Sequence, residues 1–414
     1  MIESIVSSPK VLERLRAGVA WPYLQGFAEE LVQSGYSATT VRRHLEGALH
    51  LGQWATGNSL AIETLSPGNL NEFRQHIPKC RCVGCLRGMY PKHALASARL
   101  FLGLLARMGV LSPAPFGAGE TEPALLVEFK IWMQQHRGAT EATLITYARS
   151  INGLIHDAGG APSGWTPGIL RAHVLKFAEN HSPKSTKAVV TAIRVFLRFL
   201  GIQGYCSSSL VDVVPTVVEW RLAALPRSLP AKDVEDLLAS CSVASPGGIR
   251  DRAILLILCR LGLRAGEVAD LRFKDLDWDQ GTIRVTGKAR RESLLPLPQD
   301  VGEAILLYLE QARPSFENDH VFIRTIAPTG PIQRWGISCI VGRALARAGI
   351  TGPSKGAHML RHSAACALLR EGSTLNAIAV ILRHRSLETT ALYAKVDLES
   401  LKSVVQPWPG GAPC

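Results

Sequence analysis

The stretch LRHRSLETTALYA, residues 382–394, is basic where it begins and apolar where it ends. His384 stands nine residues before Tyr393 in this stretch. Most tyrosines are partly buried packing residues whose hydroxyl finds one partner, and a leucine would fit the apolar pattern around Tyr393 equally well. Whether Tyr393 packs or reacts therefore depends on the groups that the rest of the chain supplies.

The composition indicates a folded, multidomain protein with an anionic partner. A chain of 414 residues is too long for a single hydrophobic core, and with 47% hydrophobic residues it has enough apolar side chains to form several cores. The net charge of +12 is typical of proteins that neutralise phosphates. The N-terminal residues lack the apolar core of a signal peptide, and the longest apolar stretch, 253–263, is too short to span a bilayer. Nine scattered cysteines do not resemble a secreted disulfide framework, so we expect a cytoplasmic protein without membrane attachment.

The N-terminal half contains a weak internal repeat, which predicts two related all-helical units separated by a Pro/Gly-rich linker at 113–123. Ser66 and Thr166 are predicted to cap equivalent helices. The first copy is longer by about six residues, in the region of KCRCVGC (79–85). The matching segments are SGYSATTVRRHLEGALHL (34–51) and HRGATEATLITYARSINGL (136–154), LSPGNL (65–70) and WTPGIL (165–170), and SARLFLGLLARMGVL (97–111) and TAIRVFLRFLGIQGY (191–205).

The C-terminal half reads as helices around one small sheet. After a connector with several prolines, SLPAKDVEDLLASC begins a helix, and residues 248–277 predict two helices broken at Gly262. Residues 281–298 alternate like two strands with a turn at 287–291, and a helical pattern then resumes to about residue 404. The predicted fold class is therefore mainly α with a small β sheet (α+β).

Two of the possible reactive signals in this half are weak by themselves. In LGLRAGEVADL (261–271), Arg264 opens a helix and Glu267 follows one turn later, which most often forms a solvated ion pair. Lys288 lies at the predicted hairpin turn, where a solvated lysine is the usual finding.

A third signal, AHMLRHSAA (357–365), places His358 and Arg361 three residues apart on one helical face. Together with Arg264, Lys288, His384 and Tyr393, they are the groups needed to cleave a phosphodiester without a metal. Guanidinium groups hold the non-bridging oxygens, a histidine takes the phenol proton, and a lysine protonates the leaving 5′ oxygen. The sequence offers no competing cluster of Asp and Glu with two-metal spacing.

The order of these residues resembles the tyrosine recombinase (phage integrase) family over about the last 190 residues. LRH at 360–362 and H-x4-TT-x2-Y at 384–393 carry the same likeness. Arg383 departs from the family, which usually has glycine before the histidine. The resemblance implies that Tyr393 attacks the scissile phosphate to form a 3′-phosphotyrosyl link. By the same resemblance, Arg264 and Arg361 clamp the phosphate and His384 hydrogen-bonds it. It also implies that His358 assists proton transfer, that Lys288 is the general acid, and that Glu267 orients the arginine helix.

The resemblance also implies a domain organisation and partners. Residues 1–112 would form an extra N-terminal helical DNA-binding unit, 120–206 the helical core-binding domain, and 226–414 the integrase-like catalytic domain with a C-terminal tail. The expected partners are double-stranded DNA and further copies of the chain in a synaptic tetramer, with related recombinases as further candidates, and no cofactor is expected. The N-terminal extension favours a mobile-element recombinase. The candidate phosphate contacts of the core-binding domain are Lys184, Lys187, Arg194 and Arg198.

Two other functions use similar residues. A type IB topoisomerase relaxes supercoils as a monomer, but the repeated helical units and a tail at 398–409 suited to docking on a neighbour argue against it. A DNA-binding regulator with a lapsed active site would not need all six reactive groups. Supercoil relaxation by the monomer would favour the first alternative, and absence of any covalent DNA adduct would favour the second.

The cysteines of the first repeat allow a metal site. Cys80, Cys82 and Cys85, with His76 or His93 nearby, are suitable ligands for a Cys3His zinc site. The segment contains one close C-x2-C pair and no second pair downstream. The sequence therefore favours reduced loop cysteines, and no metal ligand is predicted.

Overall fold

The structure is a computed structural model that describes residues 1–66, 68–80, 91–111, 123–159, 161–218, 228–287, 292–351, 356–384 and 386–394. Within these ranges the chain is mainly helical with one small antiparallel sheet, so the predicted fold class is confirmed. Lys288 and the tail after Ala394 lie outside the described residues. No helix among the described residues is long and apolar enough to cross a bilayer.

The helices are numbered α1 to α18 in chain order. They are Ile2–Ile5, Pro9–Ala17, Trp21–Gln33, Ala38–Gly57, Asn69–His76, Pro91–Arg107, Ala124–Arg137, Glu141–Ala158, Pro167–Asn180, Pro183–Ile202, Ala231–Ala239, Pro246–Arg260, Ala265–Ala269, Gln299–Gln311, Arg334–Arg347, Ala357–Arg370, Leu375–Ile381 and Leu387–Ala394. The strands are β1 (Leu276–Asp277), β2 (Thr282–Thr286) and β3 (Glu292–Pro296).

The chain divides into two compact units. One comprises the described residues within Met1–Ala17, Trp21–Leu45 and Leu222–Cys414, and the other those within Gly18–Ala20 and Glu46–Arg221. In the first unit, the carbonyl of Ser34 accepts hydrogen bonds from the backbone N–H and the hydroxyl of Thr329, at 2.8 and 3.2 Å. The functional division into 1–112, 120–206 and 226–414 stays a prediction.

The second unit contains a helical core built around α10. This helix buries apolar residues along most of its length, among them Phe196 and Phe199. Ser182 caps it by accepting from the backbone N–H of Ser185, with Pro183 in the first helical position. The side chain of Arg194 donates to the carbonyl of Val214 at 2.8 Å. Arg194 thus takes part in packing within this unit.

One predicted helix cap is confirmed and the other is wrong. Thr166 accepts from the backbone N–H of Ile169 at 3.4 Å and caps α9. The equivalent Ser66 does not cap α5, because its hydroxyl and its backbone N–H both donate to Oδ1 of Asn69. Asparagine, which the second copy lacks at that position, competes for the serine through its own side-chain acceptor.

The core of the first unit surrounds α12, whose apolar residues 253–259 are all buried. The chain breaks after it at Gly262, whose φ of 59° is in the left-handed region, and α13 begins after Arg264. Strands β2 and β3 pair in antiparallel register with Ile283 opposite Leu295. The predicted helices on either side of Gly262, the break at this glycine and the pairing of the two predicted strands are all confirmed.

Candidate active site

Four segments of the first unit carry the predicted reactive groups. Arg264 is the N-cap residue of α13, and α16 holds Arg361 and its neighbouring histidines. His384 follows α17, and Tyr393 lies near the end of α18. Because α16 packs against α17 and α18, residues far apart in sequence meet beside one another.

Glu267 links two arginines at the start of α13. Its Oε1 accepts from Nη1 of Arg264 at 2.6 Å, and its Oε2 accepts from the backbone N–H of Arg264 at 2.8 Å. The same Oε2 accepts from Nη2 of Arg383 at 2.6 Å. The Glu267 and Arg383 side chains are only 5% and 9% exposed, whereas that of Arg264 is 41% exposed. Glu267 thus positions the guanidinium of Arg264 at the surface of the site.

Arg383, which stands where the family usually has glycine, adopts a glycine-like backbone conformation. Its φ is 56°, the left-handed conformation that glycine adopts without steric cost. The buried ion pair with Glu267 accompanies this conformation, and Nε of Arg383 is buried without a partner among the described residues. Burial lowers the pKa of Arg383, against the charge of Glu267.

Arg361 is fully buried and joins three segments. Its side chain donates from Nη1 to the carbonyl of Gly262 at 2.7 Å and from Nη2 to the carbonyl of Leu382. These carbonyls precede Arg264 and Arg383, so Arg361 fixes both loops to α16. Burial, together with the charge of Arg264, lowers the pKa of Arg361 to about 10. Even so, Arg361 stays positively charged at neutral pH.

Tyr393 is buried beside histidines, with 2% of its surface exposed. Its ring packs in an apolar cluster that includes Cys366 and Ile378. The hydroxyl forms a hydrogen bond with Nδ1 of His362 at 2.9 Å. Burial raises the pKa of Tyr393 to about 12, and the nearby charge of Arg361 opposes that rise. In this conformation the phenol holds its proton at neutral pH.

The two other histidines of the site surround this pair. The ring of His358, an exposed residue, lies edge-on to that of His362 with centroids 4.5 Å apart. The ring of His384 is nearly parallel to that of Tyr393, with centroids 6.3 Å apart, and its Nδ1 lies 2.7 Å from Oγ1 of Thr390. Burial lowers the pKa values of His362 and His384 to about 4, with neighbouring positive groups adding to the effect.

Of the six predicted site residues, the structure brings together Arg264, His358, Arg361, His384 and Tyr393. Lys288 lies outside the described residues. Sequence reasoning did not assign a role to His362, although LRH at 360–362 contains it. The spacing of four residues between His358 and His362 is a signal that could have identified it, because this spacing places both histidines on one helical face. Among the described residues, the side chains grouped closely enough to hold a metal ion are His50, His76 and Cys80.

Comparison with known sequences connects this geometry with a family. The sequence profile of the phage integrase family matches residues 227–399. The integrase/recombinase y4rA of Sinorhizobium fredii is 34% identical over 98% of this chain and 99% of its own length. The tyrosine recombinase XerD of Xanthomonas axonopodis pv. citri is 31% identical over 66% of this chain and 93% of its own length.

Solved structures show the same fold. The XerH site-specific recombinase, in a post-cleavage complex with a palindromic difH substrate, matches with a TM-score of 0.56 and 18% identity, covering 83% of this chain and 95% of that one. A lambda integrase dimer bound to a COC′ core site matches with a TM-score of 0.53 and 17% identity, over 65% of this chain and 93% of that one.

Proposed function

The chain belongs to the phage integrase family of tyrosine site-specific recombinases, and from this we propose that Tyr393 is the nucleophile that cuts and rejoins DNA. Its Oη attacks the scissile phosphorus, an O–P bond forms, and the bond from phosphorus to the 5′ oxygen breaks. The product is a 3′-phosphotyrosyl link and a free 5′ hydroxyl. Rejoining is the reverse attack by a 5′ hydroxyl, so the phosphodiester is conserved without a nucleotide cofactor.

The excess of positive charge beside Tyr393 is the observation that carries this proposal. Among the described residues, the guanidinium groups of Arg264, Arg361 and Arg383 are grouped around the carboxylate of Glu267. Buried or half-buried positive charge that exceeds its local counter-charge favours an anion. Arg264, the most exposed of the three, is placed to contact a non-bridging phosphate oxygen, and Arg361 stabilises the charge that develops in the transition state.

The histidines supply the proton transfer. The Nδ1 atom of His362 already shares a hydrogen bond with the Tyr393 hydroxyl, and its lowered pKa keeps the ring neutral at physiological pH. A neutral ring can accept the phenol proton as the O–P bond forms. His358, stacked edge-on against His362, assists this transfer, and His384 hydrogen-bonds the phosphate. Lys288 protonates the leaving 5′ oxygen.

The proposed substrate is double-stranded DNA. The similar lambda integrase is bound to a COC′ core site and the similar XerH recombinase to a palindromic difH substrate. The net charge of +12 supports binding to a polyanion. Lys184 and Arg198 of α10 are exposed and are proposed to contact phosphates, together with Lys187. We assign residues 120–206 as the core-binding domain and 1–112 as an additional DNA-binding unit.

The biological reaction is the integration, excision or transposition of a mobile element in the cytoplasm, carried out by a synaptic tetramer on two duplexes. A likeness to the y4rA protein over nearly the whole length of both chains supports this, because the N-terminal extension is then shared with an integrase/recombinase. The extra N-terminal unit distinguishes such chains from a minimal integrase.

A covalent-adduct assay tests the nucleophile. The full-length protein is incubated with a suicide DNA substrate carrying a nick near the cleavage site, and covalent protein–DNA species are resolved under denaturing conditions. We expect an adduct with the wild type and none with Tyr393→Phe, which loses only the hydroxyl oxygen. The control is Tyr205→Phe, because the Tyr205 hydroxyl only donates to Glu128 at 3.0 Å. An adduct formed by Tyr393→Phe would assign the nucleophile to another residue.

A further inference from the structure

Three metal-ligand atoms converge in the second unit. Nε2 of His50 lies 3.3 Å from Nε2 of His76 and 3.1 Å from Sγ of Cys80. All three atoms lie within 4.8 Å of one another. The three residues come from separate segments: His50 is in the middle of α4, His76 is the last residue of α5, and Cys80 follows the next short turn.

These separations are close to the edges of a zinc coordination tetrahedron. With Zn–N bonds of about 2.0–2.1 Å and Zn–S bonds of about 2.3 Å, tetrahedral angles place two nitrogens about 3.3 Å apart and a nitrogen and a sulfur about 3.6 Å apart. The observed N–N distance of 3.3 Å equals the first value, and the observed N–S distance of 3.1 Å is about half an ångström shorter than the second. Imidazole nitrogen and thiolate sulfur are also the ligand types that zinc prefers.

The surroundings hold the ligands in place. His50 is 6% exposed and lies edge-on to the buried ring of Phe73, with centroids 5.1 Å apart. Trp54, one turn further along α4, packs on the same ring. The rings of Phe73 and Trp54 thus restrict the imidazole of His50.

We infer that His50, His76 and Cys80 bind one zinc ion that fastens α4 to the end of α5. Binding forms two Zn–N bonds and one Zn–S bond, and the Cys80 thiol releases its proton to solvent. The fourth position is left to a water molecule. The ion is structural, because the site adds a link between helices and is independent of the chemistry at Tyr393.

In the second repeat, the corresponding pair of helices is joined by hydrogen bonds, which supports a structural role for the proposed zinc ion in the first repeat. There, Nδ1 of His173 on α9 lies 2.8 Å from Oδ2 of Asp157 on α8, and Nζ of Lys176 lies 3.1 Å from Oδ1 of the same aspartate. Lys176 aligns with His76 at the offset of 100 residues set by LSPGNL and WTPGIL. The second copy thus joins its helices through hydrogen bonds to the carboxylate of Asp157. The first copy has two histidines and a cysteine grouped at its junction, which are suitable metal ligands.

A hydrogen-bonded cluster without metal is the competing explanation. Two neutral imidazoles and a thiol can share protons at these distances. Such a cluster would show no preference for zinc, whereas a ligand set would bind it stoichiometrically and only with all three residues present. Metal content therefore separates the two explanations directly.

The test uses full-length protein exposed to zinc and then dialysed, with bound metal measured by mass spectrometry. We expect about one zinc ion per chain in the wild type and a loss of at least about tenfold in His76→Gln and in Cys80→Ser. The matched controls are His156→Gln, whose side chain is 87% exposed, and Cys206→Ser in the same unit. Both controls are expected to keep their zinc. Zinc-free wild type, or full zinc in both ligand variants, would overturn the inference.

A second measurement avoids reliance on the folding of the variants. Cobalt(II) is added to metal-free wild-type protein, and the visible and near-ultraviolet spectra are recorded. We expect the intense d–d bands of tetrahedral cobalt and a thiolate-to-cobalt charge-transfer band, both removed by one equivalent of zinc. A weak octahedral spectrum without the charge-transfer band would overturn the inference. Neither result depends on adduct formation, so the metal site and the proposed recombination chemistry fail or succeed separately.

Discussion

Tyr393 is both a packing residue and a candidate nucleophile, and its surroundings explain how one residue combines these properties. Its ring fills an apolar cluster with Cys366 and Ile378, as a leucine would. Its hydroxyl meets His362, for which a leucine offers no substitute. A pKa raised to about 12 by burial keeps the phenol protonated, so attack requires a base and a phosphate that compensates the developing charge.

At the same residue scale, a mutation can show whether Arg264 contacts the phosphate or only forms an ion pair at the surface. Arg264→Ala is expected to lower the rate of adduct formation about 10²–10³-fold, the loss typical for one donor to a developing oxyanion. Arg260→Ala is the matched control, because Arg260 ends α12 in exposed pairs with Glu235 and Asp300. Single-turnover cleavage of the suicide substrate measures both. A loss of tenfold or less for Arg264→Ala would make that arginine structural.

Arg383 provides a stability test of backbone strain. Arg383→Gly and Arg383→Ala both remove the buried pair with Glu267, so we expect both to be less stable than the wild type. The free energy of unfolding of the glycine variant should be about 1 kcal/mol higher than that of the alanine variant, because a φ of 56° strains alanine and not glycine. Urea unfolding of the three proteins measures the differences. Equal stability of the two variants would show that position 383 is not strained.

Particular residues show how far the sequence predicts this site. Arg264, Arg361, His384 and Tyr393 were identified by spacing and by resemblance to a family. The sequence could not decide whether His358 or His362 reaches the Tyr393 hydroxyl, because both lie on one face of α16 and only the position of α18 selects between them. The contact of Arg383 with Glu267 spans 116 residues and depends on a left-handed backbone conformation that no local pattern reveals.

At the scale of elements, helix periodicity and glycine punctuation predicted most of the fold. The break at Gly262 and the alternating strands β2 and β3 follow from local rules. The convergence of His50 with His76 and Cys80 does not, since 26 and 30 residues separate them and tertiary packing of α4 on α5 brings them together. Local sequence patterns do not determine which distant helices pack together, so this cluster could not be predicted from them.

If Tyr393 is the nucleophile, as proposed, the position of helix α18 decides its reactivity. With 2% of Tyr393 exposed, the hydroxyl cannot reach a phosphate in line unless the helix shifts from α16 and α17. We expect the amides of its last turn, residues 391–394, to exchange slowly in the free protein and at least about tenfold faster on a bound recombination site. Hydrogen–deuterium exchange with mass spectrometry measures this, with the buried helix α12 as internal control. Unchanged protection of α18 in a complex that still forms adduct would contradict the shift.

At the scale of the whole molecule, the proposed synaptic tetramer requires communication between copies of the chain. In such a tetramer four active sites meet, and alternate cutting would require that a protomer with a buried Tyr393 stay inactive while its neighbour cuts. The segment that follows α18 is well placed in the sequence to carry that signal, because it is joined directly to the helix that bears the proposed nucleophile.

The tail, residues 395–414, lies outside the described residues, and the prediction rests on its sequence. Val396, Leu398, Leu401, Val404 and Val405 recur at near-helical spacing, a short amphipathic pattern that a groove on another copy can bury. The competing arrangement is a tail that folds back on its own domain, as terminal helices often do. The two arrangements predict different behaviour on paired DNA sites.

Deletion of residues 396–414 distinguishes them. If the tail acts on a neighbouring copy, the truncated protein should bind a single site with nearly wild-type affinity, because the arginines and α10 are retained. It should fail to form the tetramer on two sites and fail to recombine them, since the contact between copies is lost. Gel shift with one site, mass photometry with two, and a recombination assay measure these steps. Full-length Tyr393→Phe is the control, because it should assemble without cutting. A truncated protein that recombines at the wild-type rate would show that the tail does not link copies of the chain.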